Sequence, residues 1–159
     1  IVTYFLELSQ PKVVFANEES AAFIQQIVDK VQANVKVIVL GQVSGMKSLQ
    51  EITSEQSSEE VQSFECEKID SYDHPAVLVY TSGTTGKPKA TVLNCGGFTA
   101  GVGNDVSDDV VDSRGFWCSS LCWISAIIGT IFCFMKGATG IIYPNPSEAD
   151  ICRLVEQYK

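Results

Sequence analysis

The residues from Tyr80 to Lys89, with the sequence YTSGTTGKPK, combine the groups that bind phosphate. Gly83 and Gly86 allow tight turns and let backbone N–H groups approach a ligand without a Cβ in the way. Hydroxyl donors and positive charges follow along the same segment, at Ser82, Thr84, Thr85, Lys87 and Lys89, and Pro88 stiffens its exit. Backbone N–H groups, hydroxyls and ammonium groups together can surround a polyphosphate. The segment is therefore predicted to be a phosphate-binding loop.

Two common nucleotide motifs do not fit this segment. A Walker A loop requires G-x-x-x-x-G-K-(S/T), but Thr81 stands at the first glycine position and Pro88 follows the lysine. The dinucleotide fingerprint G-x-G-x-x-G is also absent, because the stretch around Gly101 and Gly103 lacks the third glycine. The structural alternative is a Gly/Thr hairpin turn whose lysines are only solvated.

The range Thr81–Lys89 matches every position of the signature (S/T)-(S/G)-G-(S/T)-(T/S/E)-(G/S)-x-(P/A/L/I/V/M)-K, with Lys87 in the free position. It resembles the phosphate loop of the adenylate-forming, or AMP-binding, superfamily. That superfamily includes acyl-CoA synthetases, coumarate-CoA ligases, beetle luciferases and the adenylation domains of peptide synthetases. Three flanking segments resemble the same family: SQPKVVFANEE, DHPAVLVY and FWCSSLCWISAIIGTIFCFMKGATGIIY. Within it, SSLCWISA is most similar to insect luciferase-like acyl-CoA synthetases.

The resemblance implies an ATP-dependent ligase that works in two half-reactions. A fatty or aromatic carboxylic acid attacks the α-phosphate of ATP to give an acyl-adenylate and pyrophosphate, and the thiol of CoA then displaces AMP. Mg²⁺ is the implied metal cofactor. The implied nucleotide-binding residues are Thr81, Ser82, Gly83, Thr84, Thr85, Gly86, Lys87, Pro88 and Lys89, with Lys89 as the catalytic residue.

Other residues leave the substrate and the activity open. Trp123 is the expected wall of the acyl pocket, although an aromatic residue filling a core between helix and sheet fits the same pattern. Departures from residues common in the family occur at Ala90, Asn94-Cys95, Cys122, Trp123 and Ala126. The family's aromatic-x-Thr-Glu motif, ribose-binding Asp and late catalytic Lys are not found in the chain, and no metal ligand is assigned. The chain alone is expected to be inactive, and a non-catalytic nucleotide-binding relative is the alternative.

Short apolar runs alternate with helical periodicity, which is typical of βα units. The expected class is α/β: a layered α/β/α fold with a mostly parallel sheet, in which residues 1–159 belong to an incomplete N-terminal domain. Strands are expected at Lys12–Ala16, Val35–Leu40, Ala76–Tyr80, Lys89–Leu93, Phe116–Ser119 and Thr139–Tyr143. Because Ala76–Tyr80 is apolar throughout, it is expected to be buried on both faces of the parallel sheet. The phosphate loop would then lie at the carboxyl edge of that sheet.

Polar residues mark the expected starts of the helices. Asn17 is placed as an N-cap, and the apolar residues after it repeat at helical spacing, at Ile24, Ile27, Val28 and Val31. Ser147 with Asp150 resembles a capping box, and Leu121–Met135 is expected to be a largely buried helix. Residues 44–73 are rich in Ser, Glu and Gln, so they are expected to form an acidic surface connection.

The net charge of −8 argues against nucleic acids and anionic lipids as partners, because those surfaces need clustered Lys and Arg. Gly115–Met135 has no charged side chain and is long enough to cross a bilayer, which makes a membrane span the less favoured alternative. The serines and glycines in this segment favour a helix buried in the domain instead.

The six cysteines include no C-x-x-C pair, and His74 is the one histidine of the chain, so a zinc site is not expected. Buried free thiols are the expected state. The start at Ile1 has no features of a secretory signal and is interpreted as a cut end. The expected setting is intracellular, in the cytosol or the peroxisome, and the sequence indicates no oligomeric state.

Overall fold

The computed structural model describes residues 1–81, 86–103, 113–118, 120, 122–143 and 145–158. Contacts divide the chain into two compact units, which we call the N-terminal unit (1–66) and the C-terminal unit (67–159). Both units contain buried apolar residues. A single domain covering 1–159 stays a prediction.

The N-terminal unit is built around a βαβ motif. Helix α1 (Val2–Ser9) leads to strand β1 (Val13–Ala16), helix α2 (Glu18–Lys30) and strand β2 (Lys36–Val39). The two strands pair in parallel, with Val13 opposite Lys36 and Ala16 opposite Val39. Both predicted strands and the helix between them are confirmed, whereas α1 was not predicted.

Helix α2 begins at the predicted cap. The side-chain oxygen of Asn17 accepts a hydrogen bond from the backbone N–H of Ser20 at 3.0 Å, which satisfies one of the free N–H groups of the first turn. Val28, on the predicted apolar face, is buried in the core. The other predicted members of that face, Ile24, Ile27 and Val31, pack against the same core. Burial of this face against the two strands closes the βαβ motif.

The acidic segment 44–73 contains two short helices that the sequence pattern did not predict, α3 (Leu49–Ser54) and α4 (Ser58–Ser63). Each begins at a serine in a capping box, which is Ser48 for α3 and Ser57 for α4. Residues 53–76 are all exposed. Ser48, in contrast, is only 1% exposed and bridges to Val39 at the end of β2. Ser48 therefore connects this surface segment to the core.

Replacing Ser48 with alanine should lower the free energy of unfolding by about 1 to 2 kcal/mol. The Ser48 hydroxyl oxygen accepts the Glu51 N–H at 3.1 Å, and burial keeps water from replacing that bond. Ser57→Ala is the matched control, since it removes a bond of the same length at an exposed site. That control should cost about 0.5 kcal/mol. Urea denaturation followed by far-UV circular dichroism measures both losses, and equal losses would contradict the prediction.

Acid should weaken the cap of α3. The backbone N–H of Ser48, and after it the Ser48 hydroxyl, hold the pKa of the Glu51 carboxyl below its ordinary value. A carboxylate with a lowered folded-state pKa stabilises fully above its unfolded pKa, and this contribution is lost as the pH falls through the folded value. The stability difference between the unmodified chain and Glu51→Gln should therefore be present at pH 7 and shrink below about pH 4.5. Denaturation at a series of pH values tests this, and a constant difference would refute it.

The C-terminal unit begins with two strands, β3 (Pro75–Thr81) and β4 (Lys89–Asn94), which form an antiparallel pair. Val79 is the buried residue of β3, and the others are exposed or half-buried. The two predicted strands are confirmed, but the prediction that Ala76–Tyr80 is buried on both faces of a parallel sheet is wrong. A connection between parallel strands needs about a dozen residues or more. Residues 82–88 alone join β3 to β4, and this connection is too short for parallel strands, so the two strands pair antiparallel.

The chain continues with α5 (Cys95–Gly103), β5 (Arg114–Phe116), α6 (Ile124–Lys136), β6 (Thr139–Ile141) and α7 (Glu148–Gln157). Strands β5 and β6 pair in parallel, and the predicted capping box of Ser147 with Asp150 is confirmed at the start of α7. Helix α6 begins later than predicted, and β6 is shorter than predicted. Strand β5 begins two residues before the predicted Phe116–Ser119 and shares only Phe116 with that range. In the described parts of the chain the strands form three two-stranded sheets, of which two are parallel. The mixture of helices and parallel strands confirms the α/β class.

The apolar segment Gly115–Met135 is divided between strand and helix. Strand β5 takes its first residues, and α6 has 13 residues. No helix within the described ranges is long and apolar enough to cross a membrane.

All six cysteines are free thiols, as predicted. Cys95 and Cys133 are buried. The expectation that the thiols are buried is wrong for the other four, which are exposed: Cys66, Cys118, Cys122 and Cys152.

Candidate functional site

The two ends of the predicted phosphate loop are held together by strand pairing. Thr81, the last residue of β3, lies opposite Lys89, the first residue of β4. The Thr81 hydroxyl donates a hydrogen bond to the Lys89 carbonyl oxygen at 3.3 Å. Thr81 therefore closes the base of the loop. Four of the predicted phosphate-binding residues lie outside the described residues: Ser82, Gly83, Thr84 and Thr85.

The second half of the loop has a backbone that favours glycine. Gly86 has a φ of +135°, which residues with a side chain rarely adopt. A Cβ at this position would meet no described atom within 4 Å. Glycine is therefore favoured here by the backbone conformation and not by a lack of space for a side chain. Lys87 and Lys89 are exposed, and Pro88 is half-buried. This half of the loop thus presents two lysines next to a backbone conformation that suits glycine.

The pair Asn94-Cys95, a departure from residues common in the family, starts α5. The Asn94 side-chain oxygen accepts a hydrogen bond from the Gly97 N–H at 2.7 Å, which is the geometry of a helix cap. Cys95 is buried, and its N–H donates to the His74 carbonyl oxygen at 2.8 Å. These residues therefore join the end of β4 to the segment before β3, and so support both strands that carry the loop.

Trp123, the predicted wall of the acyl pocket, lies at the N-cap position of α6 and is 53% exposed. The two other departures in this region differ in burial, since Cys122 is exposed and Ala126 is fully buried. An exposed indole at a helix start can contact a ligand. Nothing in its surroundings identifies that ligand, so the role of Trp123 stays a prediction.

Sequence reasoning missed Trp117, which follows β5. A cavity of about 650 Å³ lies beside this residue, and its lining includes Trp117, Thr130, Cys133, Phe134, Gly140 and Ile142. We call it the Trp117 cavity. The signal in the sequence was a set of glycines at positions 115, 129 and 140. Those glycines could not be connected to one indole before the pairing of β5 with β6 was known.

The described residues offer no evident metal site. Within the described ranges, no three His, Cys, Asp or Glu side chains come together in a group that could hold a metal ion. The residues that would hold Mg²⁺ are therefore not assigned in this chain.

Comparison with known proteins gives a family match along the chain. The sequence model of the family described as AMP-binding enzyme matches residues 2–159. An acetyl-coenzyme A synthetase of Pyrobaculum aerophilum is 36% identical over 78 residues, which are 45% of this chain and 11% of that protein. An acetyl-coenzyme A synthetase of Streptomyces avermitilis is 30% identical over 118 residues, which are 68% of this chain and 17% of that protein. The chain thus spans less than a fifth of the length of these relatives.

Solved structures show the same fold. The luciferase-like enzyme from the nonluminescent Zophobas morio mealworm has a TM-score of 0.80 at 23% identity, covering 99% of this chain and 36% of that chain. A natural red-emitting luciferase from Phrixothrix hirtus has a TM-score of 0.78 at 18% identity, covering 99% of this chain and 31% of that chain. The fold of these structures, the loop signature and the match over residues 2–159 agree, and the chain belongs to the AMP-binding enzyme family.

Proposed function

We propose that Thr81–Lys89 binds the phosphates of ATP and that the full-length protein is an adenylate-forming acid–thiol ligase of the acyl-CoA synthetase type. The observation that carries the proposal is the complete signature at this loop in a chain of the AMP-binding enzyme family. The geometry adds a base closed by Thr81 and Lys89 and a glycine backbone at Gly86. The loop joins two antiparallel strands. It therefore does not lie at the carboxyl edge of a parallel sheet, and the expected position of the loop does not support the proposal.

The first half-reaction transfers the adenylyl group to the acid. A carboxylate oxygen bonds to the α-phosphorus of ATP while the bond from that phosphorus to the pyrophosphate oxygen breaks. Negative charge then grows on the departing pyrophosphate. Donors that already point at those oxygens stabilise this charge without reorganising during the reaction. Mg²⁺, when bound, supplies further positive charge at the phosphates.

Seven of the nine loop residues have a proposed part in this step. Lys89 supplies an ammonium group at the exit of the loop, and the glycines let backbone N–H groups approach the phosphates. Hydroxyl donors are proposed at Ser82, Thr84 and Thr85. Lys87 occupies the free position of the signature and adds positive charge to the loop. In the second half-reaction the thiol of CoA forms a thioester with the acyl carbon and releases AMP.

The acid is proposed to be fatty or aromatic, with Trp123 as one wall of its site. Trp123 presents an exposed aromatic surface at the start of α6, where an apolar group of the acid could pack. The acceptor is proposed to be CoA and the setting intracellular, and the comparisons lend no support to a peroxisomal location.

Exchange of labelled pyrophosphate into ATP tests the proposal. The full-length protein should catalyse exchange that depends on an added carboxylic acid, measured with a fatty acid, an aromatic acid and no acid. The 159-residue chain alone should show no exchange. A non-catalytic binder would instead bind ATP in calorimetry but give no exchange with any acid, and that outcome would reject the ligase assignment.

A further inference from the structure

The Thr81 hydroxyl lies at the base of the phosphate loop. Thr81 ends β3 and lies directly opposite Lys89, which begins β4, so residues 82–88 form the loop between them. The hydroxyl donates a hydrogen bond to the carbonyl oxygen of Lys89 at 3.3 Å. Both partners belong to the same hairpin, so this bond does not depend on which parts of the full-length protein cover the hairpin.

This bond uses the one proton that the Thr81 hydroxyl can donate. A threonine hydroxyl has a single O–H donor, and its remaining lone pairs can only accept. The phosphate oxygens of ATP are acceptors, so a side chain that contacts them must donate. While its proton points at the Lys89 carbonyl, Thr81 cannot donate to a phosphate. The geometry therefore separates Thr81 from Ser82, Thr84 and Thr85, whose hydroxyls are proposed to contact the phosphates.

The acceptor of the bond is the residue whose charge the proposed reaction uses. A lysine ammonium group is carried on a flexible four-carbon stem, so its position depends on how firmly the backbone beneath it is held. Lys89 is the first residue of β4, and the ends of an element open more easily than its centre. A bond from Thr81 across the last pair of the hairpin opposes this opening. The Thr81 hydroxyl is therefore placed to keep Lys89 at the exit of the loop.

We propose that Thr81 is a positioning residue of the phosphate loop. Its hydroxyl holds the backbone of Lys89, and through that backbone the ammonium group, and it does not bind ATP itself. This role rests on the proposed function of Thr81–Lys89 in binding ATP. It assigns a different task to the first residue of the signature than to the hydroxyl residues that follow it.

Thr81→Val tests the hydroxyl in the full-length protein. The change keeps a β-branched side chain that suits a strand and removes the donor. Affinity for ATP, measured by calorimetry, should fall roughly three- to tenfold, the range expected for one neutral hydrogen bond. Thr81→Ser keeps the donor and should retain the affinity. No loss in Thr81→Val, or the same loss in Thr81→Ser, would overturn the proposal.

Thr91→Val is the matched control. It makes the same change at an exposed threonine of β4 that lies outside the signature, and it should leave the affinity for ATP unchanged. Circular dichroism checks that each variant folds. Equal losses in Thr81→Val and Thr91→Val would show a general effect on the hairpin, which would also reject the role proposed for Thr81.

A double-variant cycle decides whether Thr81 acts through Lys89 or binds ATP directly. In the Lys89→Ala background no ammonium group is left to position, so adding Thr81→Val should weaken ATP binding by less than about 1.5-fold, because residues that act through one another are not additive. A hydroxyl that contacts a phosphate would instead cause the same loss in both backgrounds. Such additivity would overturn the proposal.

Pyrophosphate exchange separates this role from the ligase assignment. Where exchange occurs, Thr81→Val should lower kcat as well as raise KM for ATP, in the same sense as Lys89→Ala, and an effect on KM alone would contradict an action through Lys89. A full-length protein that binds ATP without exchange would reject the ligase assignment, and the affinities of the Thr81 variants would still support or refute the positioning role. Absence of ATP binding would reject both.

Discussion

Replacing Lys89 with alanine should reduce acid-dependent ATP–pyrophosphate exchange by the full-length protein by roughly 10- to 150-fold. A hydrogen bond to a charged group contributes about 1.5 to 3 kcal/mol, and each 1.4 kcal/mol corresponds to about tenfold in rate. The backbone of Lys89 is fixed by pairing with Thr81, so the side chain that carries the ammonium group is attached at a fixed position at the exit of the loop. Removing the side chain takes away charge that the departing pyrophosphate needs.

Lys87→Ala is the matched control for this prediction. It removes the same charge from the same loop, but at the free position of the signature, and should reduce exchange less than fivefold by the same scale. Steady-state kinetics separate the effects, because the loss in Lys89→Ala should appear in kcat as well as in KM. Equal losses in the two variants would mean that net charge, and not the position of Lys89, is what matters.

Replacing Gly86 with alanine should weaken ATP binding by roughly 5- to 150-fold. Holding a residue with a side chain in a rarely adopted backbone conformation costs about 1 to 3 kcal/mol. The φ of +135° at Gly86 is such a conformation, and no described atom would clash with the added methyl group. The cost would therefore arise from the backbone alone, and the loop would relax to a shape that directs its N–H groups elsewhere. Isothermal calorimetry with ATP measures the change.

Gly45→Ala separates this effect from a general loss of stability. Gly45 has a φ of +79° and also open space around its Cα, but it lies in the N-terminal unit. The backbone of the Gly45→Ala variant should be strained, but its affinity for ATP should not change. Gly86→Ala binding ATP as tightly as the unmodified protein would show that the conformation at Gly86 does not matter for the nucleotide.

The family assignment and the activity rest on different observations. Membership of the AMP-binding enzyme family follows from a match over residues 2–159. The activity is proposed from the loop, because the chain spans only part of its relatives and four of the nine loop residues lie outside the described residues. The exchange assay and the Lys89 and Gly86 variants therefore test the proposed activity.

The sequence by itself determined the local structure wherever neighbouring residues decide it. Asn17 and Ser147 begin helices because their side chains bond to N–H groups within the same turn. The apolar face of α2 and the strands on either side of it could be read in the same way, because the spacing of apolar residues fixes which side of an element is buried. The loop signature needed no structure, since it is a property of consecutive residues.

Only the tertiary structure decided which strands pair and which aromatic residue borders a cavity. An apolar run such as Ala76–Tyr80 is compatible with parallel or antiparallel partners, and the structure pairs it with β4 in the antiparallel sense. The choice between Trp117 and Trp123 depended on Gly129 and Gly140, which are distant in sequence and lie on two different elements. Contacts between such elements form only when the chain folds, so sequence spacing cannot specify them.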